Sequence, residues 1–308
     1  MIVVCGEALF DVFPMADTPT GMTLDARVGG SPFNVAVGLS RLGQAVSFLG
    51  GVSTGPLGER LMQALADEGV GCGLVQHLDA PTTLSLVGLD ARGVPAYSFY
   101  GERSADRLLS AEAVSALPAA ARAVHVGSYA MVVEPVMLAL RAVVERWRGR
   151  ALIAYDPNVR LNVEPSLDRW RDAIGWMLPR TDVLKISDED LGLLYPGVAA
   201  AELATAWCAQ GVAAVVVTLG SQGARAFVHG TTVEVPAWPA QVADTVGAGD
   251  SFQAAMLAAL AERDALSPAA LRAMPPAAWA DVLGMAARAA ALTCSRRGAD
   301  LPRRHELG

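Results

Sequence analysis

Lysine is almost missing from this chain. Of 308 residues 24 are basic, and Lys185 is the sole lysine among them. Arginine serves wherever either cation would do. A lone lysine then marks either a place that needs a compact, rotatable ammonium, or mere compositional drift. Cysteine is also scarce. Cys5, Cys72, Cys208 and Cys294 lie far apart, with no Cys-x-x-Cys pair. That argues against a disulfide framework and predicts free thiols in a reducing cytoplasm. The four histidines (His77, His125, His229, His305) lack metal-ligand spacing, so no protein zinc site is expected.

Long apolar runs are missing too. The longest uncharged stretch, Leu203 to Ala224, is broken by Gln210-Gly211 and by Gly220-Ser-Gln-Gly223. A membrane helix needs about 20 unbroken apolar residues, so no membrane span is expected. The first residues, Met1 to Gly6, read as a core strand and not as a signal peptide. Net charge is −7 and no basic block occurs, which argues against nucleic acid or an anionic membrane as partner. Neither a Gly-x-x-x-x-Gly-Lys-Ser/Thr loop nor a Gly-x-Gly-x-x-Gly fingerprint is present, so P-loop and typical dinucleotide sites lose their support.

What is present is an apolar, alternating chain. Hydrophobic residues make up 53% and charged residues 18%, a balance that buries a core. Continuous apolar runs predict strands at 2–5, 46–49, 124–126, 152–155, 183–186 and 214–218. Helical periodicity covers 33–42, 57–68, 135–147, 167–177, 200–209, 251–260 and 277–293. Strands alternating with helices of this length predict an α/β fold with a mainly parallel sheet. Ser31 is placed as N-cap and Pro32 as first helical residue of the 33–42 helix. Two regions break the alternation. Residues 12–28 read as loop-like, and 82–100 as two strands around the turn Asp90-Ala-Arg-Gly93. Together they suit a small antiparallel sheet, a lid at the edge of one domain spanning 1–308, formed by about 12–28 and 82–103.

The most informative segment is Asp244-Thr-Val-Gly-Ala-Gly-Asp-Ser-Phe252. Small residues let a backbone approach a ligand closely, and the helix that follows opens with unpaired N–H groups. That suits a phosphate, and Asp250 at its lip suits a proton acceptor. The helix start is expected to stabilise the Asp250 carboxylate and make it a weak base.

Other segments carry two readings each. Gly29-Gly30-Ser-Pro-Phe-Asn34 is a close-approach site or a tight turn before a helix. Asp156-Pro-Asn-Val-Arg160 ends a buried strand, where ligands of parallel sheets lie, or is a solvated turn. In Lys185-Ile-Ser-Asp-Glu-Asp190 the acids complement a helix start, or hold Mg²⁺ through waters. Thr218-Leu-Gly-Ser-Gln-Gly223 lines a nucleotide or is a hairpin turn.

In this order and at this separation the segments resemble the PfkB/ribokinase family of carbohydrate kinases, over nearly the whole chain. Gly29 to Gly43 and Asp244 to Phe252 match its two signatures. Gly6-Glu-Ala-Leu-Phe-Asp11, the 156–160 segment and Thr293 to Asp300 look most like bacterial fructokinases. The resemblance implies a ribokinase-like three-layer α/β/α sandwich with a small β lid. It implies transfer of the ATP γ-phosphate to a sugar hydroxyl, with fructose as the first expectation. 2-Keto-3-deoxygluconate, ribose or a nucleoside are alternatives, and a catalytically silent sugar- or nucleotide-binding regulator is another class.

Residue by residue, the resemblance makes Asp250 the base and Gly247, Ala248 and Gly249 the anion hole. Asp11, Gly29, Gly30, Asn34, Arg103 and Arg160 are implied for the sugar. Lys185, Thr218, Gly220, Ser221, Gly223 and Gly249 are implied for ATP. Asp190 is implied for Mg²⁺ through water, and Asp244, Val246, Thr293, Arg296 and Gly298 for K⁺. A homodimer through the lid is implied as well. The chain departs from the family pattern at two places. Ser187-Asp-Glu-Asp190 stands where many members have Asn-x-x-Glu. Gly101 follows Phe99-Tyr100 where fructokinase-like lids often place an arginine, and the arginine here is Arg103.

Overall fold

A computed structural model describes residues 1–89, 95–110 and 120–308. Its main sheet has eight strands. They are β1 (Ile2–Cys5), β4 (Val46–Leu49), β9 (Ala123–Gly127), β10 (Leu152–Asp156), β11 (Val183–Ser187), β12 (Ala214–Thr218), β13 (Ala224–Val228) and β14 (Thr231–Val235). The order is β14-β13-β12-β11-β10-β9-β1-β4. Pairings from β4 through β12 are parallel, whereas β12–β13 and β13–β14 are antiparallel.

The helices are α1 (Ser31–Arg41), α2 (Pro56–Asp67), α3 (Val136–Trp147), α4 (Leu167–Met177), α5 (Asp188–Leu194), α6 (Ala200–Ala209), α7 (Ala248–Glu262), α8 (Pro268–Ala273) and α9 (Pro276–Cys294). Successive strand side chains point to opposite faces. In β1, Ile2 and Val4 pack with Phe33, Leu257 and Trp279, from α1, α7 and α9. Val3 and Cys5 pack with Val136, Trp170 and Trp207, from α3, α4 and α6. The result is the expected three layers, with a core on each side of the sheet.

Each expected strand and helix is present, within three residues at its ends. Residues 12–28 differ from expectation. They form most of the hairpin β2 (Leu9–Thr18) and β3 (Gly21–Gly29), because each edge finds a partner. That hairpin joins a second one, β7 (Leu84–Leu89) and β8 (Pro95–Tyr100). The two hairpins are antiparallel, and the join between them, β2 to β7, is parallel. The turn expected at 90–93 lies outside the described residues. A short pair, β5 (Gly51–Ser53) with β6 (Gln76–Leu78), sits apart. The β13–β14 hairpin and α8 were not anticipated: β13 is short and its alternation follows a glycine-rich turn.

Parallel β10, β11 and β12 end on the same edge of the sheet. Their carboxyl ends therefore bring Asp156, Ser187 and Thr218 to one side, with the segments that follow them. Helix α7 packs between α1 and α9 and is buried from Asp250 to Leu260. Its alanines allow that close approach.

Candidate active site

The polar segments open on one cleft of about 1110 Å³. A single small-ligand pocket holds roughly 300–1,000 Å³, so there is room for more than one small molecule. Glu7, Asp11, Gly30, Asn34, Arg160, Lys185, Asp190, Thr218, Gly220, Ser221, Gly223 and the stretch Thr245 to Asp250 all line it.

At the α7 start, Gly247 is the N-cap with φ 78°. A side chain there would be strained and would meet Ala299 at 2.6 Å. Of the three expected anion-hole residues, Ala248 donates its N–H to Thr245 O at 3.2 Å. Among the described residues no backbone acceptor faces the N–H of Gly247 or Gly249. The open donors are thus those two, because Ala248 closes a turn.

Asp250 is buried, and its carboxylate is gripped from α1. Ser31 Oγ donates to Oδ1 at 2.6 Å, and Asn34 Nδ2 donates to Oδ2 at 2.8 Å. This corrects one expectation. Ser31 is not a cap: the N-cap is Gly30, without a side-chain bond, and the Ser31 hydroxyl is spent on Asp250. Asn34 lines the cleft, but its amide donor faces Asp250 and not open space. The expected depressed carboxyl is corrected as well. Burial raises the Asp250 pKa, against the pull of Ser31, Asn34, Lys185 and Arg160. A helix start stabilises an anion by about 0.3–1 kcal/mol, whereas desolvating a carboxylate costs several kcal/mol, so burial prevails.

Asp11 lines the same cleft. Burial raises its pKa, and nearby Ser85 and Arg160 counteract. Gly29 is not part of the lining. It packs on Asp11 instead: a methyl group there would sit 2.5 Å from Asp11 Oδ2. Arg103 is exposed, has φ 55° and lies outside the lining, so the structure does not bring it to the cleft.

Lys185 is buried and paired with buried Asp156, Nζ to Oδ2 2.7 Å. Asp190 is buried on the first turn of α5, while Asp188 and Glu189 are exposed. Burial first, then the Asp156 charge, push the Asp190 carboxyl up to about 6. Ser187 caps α5 by accepting from Asp190 N at 3.0 Å. Thr218 to Gly223 is the hairpin turn into β13, and Thr218, Gly220, Ser221 and Gly223 line the cleft.

Asp244 and the 293–299 stretch brace the loop before α7. Asp244 Oδ1 accepts from Val246 N at 3.1 Å and Oδ2 from Gly298 N at 2.8 Å. Thr293 bonds Ala289 O, and the Arg296 side chain pairs with Glu306. Of this region Val246 and Cys294 line the cleft.

Sequence reading missed three contributors. Glu7 is buried, and its Oε2 has no partner among the described residues. Burial and then Asp106 push its carboxyl up to about 8, despite Ser128. Ser31 reads as a cap from the sequence alone, yet its hydroxyl binds Asp250. Trp238 is half exposed, lines the cleft and lies under the Arg288 guanidinium at 5.1 Å. The Gly6-Glu-Ala-Leu-Phe-Asp11 segment carried a signal for Glu7, and Gly29-Gly30-Ser-Pro-Phe-Asn34 one for Ser31.

A buried acid at a helix start, flanked by open N–H donors and a buried ammonium, can accept a proton beside a bound phosphate. The pfkB family carbohydrate kinase model matches residues 1–306. The chain belongs to the pfkB family of carbohydrate kinases. It is accordingly a phosphotransferase acting on a sugar hydroxyl. A fructokinase of Rhizobium leguminosarum bv. trifolii is 32% identical over 260 residues, 84% of this chain and 79% of that protein. Maize fructokinase-1 is 34% identical over 269 residues, 83% and 82% respectively. Among solved structures, the fructokinase of Xylella fastidiosa with bound ATP superposes with a TM-score of 0.89 at 28% identity, covering 99% of this chain and 96% of that one. The Vibrio cholerae O395 fructokinase in its fructose-, ADP- and calcium-bound form gives 0.84 at 27% identity, covering 99% and 97%. The fold is thus ribokinase-like. Among the described residues no helix is long and apolar enough to cross a membrane.

Proposed function

We propose that the pfkB-family chain transfers the γ-phosphate of ATP to a hydroxyl of fructose. The observation that carries this reading is the buried Asp250 carboxylate, fixed by Ser31 and Asn34 beside the open N–H groups of Gly247 and Gly249. The fructokinase relatives support the choice of sugar.

In the proposed reaction Asp11, Gly30 and Arg160 hold the sugar so that one hydroxyl meets Asp250. Thr218 to Gly223 and Trp238 flank the nucleotide. The sugar oxygen attacks phosphorus in line, its proton passes to Asp250, and the leaving electron pair stays on ADP. The transition state is loose, so positioning and charge neutralisation supply most of the rate. The raised Asp250 pKa makes it a better base than a free aspartate.

The acids of the cleft fit a hard cation. Asp190 lines the cleft, and its carboxyl, pushed up to about 6 by burial and the Asp156 charge, is ionised at neutral pH. Among those residues no cluster of three or more metal-ligating side chains occurs, which suits Mg²⁺ held mainly by water and phosphate. Mg²⁺ supplies charge neutralisation of the phosphates. A K⁺ ion between 243–247 and 293–299 would meet the Asp244 carboxylate, whose oxygens keep lone pairs beyond the N–H bonds they accept.

The β2-β3-β7-β8 sheet serves as lid, contributing Leu9, Asp11, Ser85 and Phe99 to the cleft. It also exposes Met15, Met22, Leu24 and Tyr100, an apolar group suited to a second copy of the chain. Light scattering should give twice 32.0 kDa. A monomer at working concentration refutes that pairing. The unbridged thiols suit a reducing cytoplasm.

The decisive test is ADP release against fructose, 2-keto-3-deoxygluconate, ribose and a nucleoside, each with and without K⁺. Fructose should stimulate most. Strong stimulation by the keto acid alone would reassign the substrate, with Arg160 as the cation for its carboxylate. No stimulation by any sugar would leave a silent binder.

A further inference from the structure

Two acids are buried within charge range of each other, Glu7 after β1 and Asp106 after β8, and their surroundings differ. Asp106 has a hydroxyl donor on each oxygen. Thr83 Oγ1 donates to Oδ1 at 2.6 Å and the Tyr129 hydroxyl to Oδ2 at 2.8 Å. Asp106 is thus a structural acid, and its donors come from three segments of the chain that it ties together. Glu7 is served by Ser128 and by its own backbone N–H, yet its Oε2 is buried with no partner among the described residues. A buried polar atom without a partner costs stability, so that oxygen weakens the fold.

Glu7 nevertheless lines the cleft, and it does so among the groups proposed to hold the sugar. Its backbone carbonyl abuts Gly30, where a methyl group would sit 2.8 Å from the Glu7 oxygen. Arg160 is a charge neighbour of Glu7, Asp11 and Asp250 alike. The charged and titratable groups that face Glu7 are Asp106, Tyr129 and Arg160. Burial and the Asp106 charge outweigh Arg160 and Ser128, so the carboxyl keeps its proton below about 8. A protonated carboxyl carries one O–H donor, whereas an ionised one only accepts. A neutral donor matches an uncharged polyol, whose every hydroxyl can accept.

We propose that Glu7 is a sugar-binding residue that sets specificity: its neutral carboxyl donates a hydrogen bond to a sugar oxygen other than the one that attacks phosphorus. This deepens the fructose reading above and rests on it. Glu7 keeps its proton throughout, and Asp250 alone takes the proton of the attacking hydroxyl. The unpaired Oε2 of the empty cleft then finds its partner in the sugar.

The test is calorimetric titration of the full chain with fructose, without nucleotide, for the parent, Glu7→Gln and Glu7→Met. Glutamine keeps the shape and a donor; methionine keeps the volume and removes the hydrogen bond. One neutral hydrogen bond corresponds to about 3- to 10-fold in affinity. Glu7→Met should bind fructose weaker by that factor, and Glu7→Gln within about 2-fold of the parent. Parental affinity should also fall as pH rises through about 8, where the donor is lost, while that of Glu7→Gln stays level. This second comparison decides the matter even where Glu7→Met does not fold. Were Glu7 only a packing group, Glu7→Met would bind fructose like the parent and the parental pH profile would be flat, and either result overturns the proposal. A parent that binds no fructose at any pH would instead overturn the choice of sugar, which its own titration reads before any variant is compared.

Discussion

Replacing Asp250 by asparagine separates proton acceptance from every other role of this side chain. Asp250 makes two side-chain bonds, from Ser31 Oγ at 2.6 Å and from Asn34 Nδ2 at 2.8 Å. An asparagine oriented with its oxygen toward Asn34 keeps the second bond. Its amide then donates to the Ser31 hydroxyl, which can turn to accept. The packing survives, and the buried charge disappears. Since the folded pKa is raised above its ordinary value, ionised Asp250 costs stability at neutral pH, and Asp250→Asn should melt no lower than the parent. Catalysis behaves otherwise. Loss of general-base help removes about 10²–10⁴-fold, or about 3–5 kcal/mol of barrier lowering. Coupled-assay kinetics should show kcat down at least about 10²-fold with the KM for ATP little changed. The parent should lose kcat/KM as pH falls through the Asp250 pKa, which burial raises from its ordinary value, and the variant should lack that limb. Near-parental turnover in Asp250→Asn would refute the base assignment and the reasoning from burial together.

Asp190→Asn should raise the Mg²⁺ concentration needed for half-maximal rate, and in the parent that requirement should climb as pH drops below about 6, where Asp190 takes up its proton; an unchanged Mg²⁺ titration counts against a role for Asp190. Glu7 contributes stability that is present below its ordinary 4.5 and lost as pH rises toward about 8, because burial of its ionised form outweighs the Ser128 hydrogen bond. Thermal melts of Glu7→Gln should therefore gain on the parent as pH rises through that window, and parallel curves would contradict the burial argument. Trp238 lines the cleft under Arg288. Its emission should respond to an ADP titration, and Trp238→Phe should abolish that response; a retained signal would place the nucleotide elsewhere.

Much of the fold was legible because its signals are local. The β-branched run Val215-Val-Val217 reads as a buried strand wherever it lies, and it is one. The turn before α7 was legible for the same reason: small residues, then an acid, then an alanine-rich helix. Residues 12–28 were not, since their strands depend on edges supplied by each other and by β7. Arg103 lies outside the cleft lining, which no local signal in its segment announces.

The sequence by itself determined the layered α/β architecture and the glycine-rich turn with its acid at the start of α7. Those depend on periodicity, glycine and helix starts, all set within a few residues. Only the tertiary structure decided what surrounds that acid. Ser31 and Asn34 reach Asp250 across 219 and 216 residues of chain, and Lys185 meets Asp156 across 29. Burial, which raises the Asp250 pKa where the helix start alone would lower it, is a property of the packed molecule, because desolvation is produced by all neighbours together.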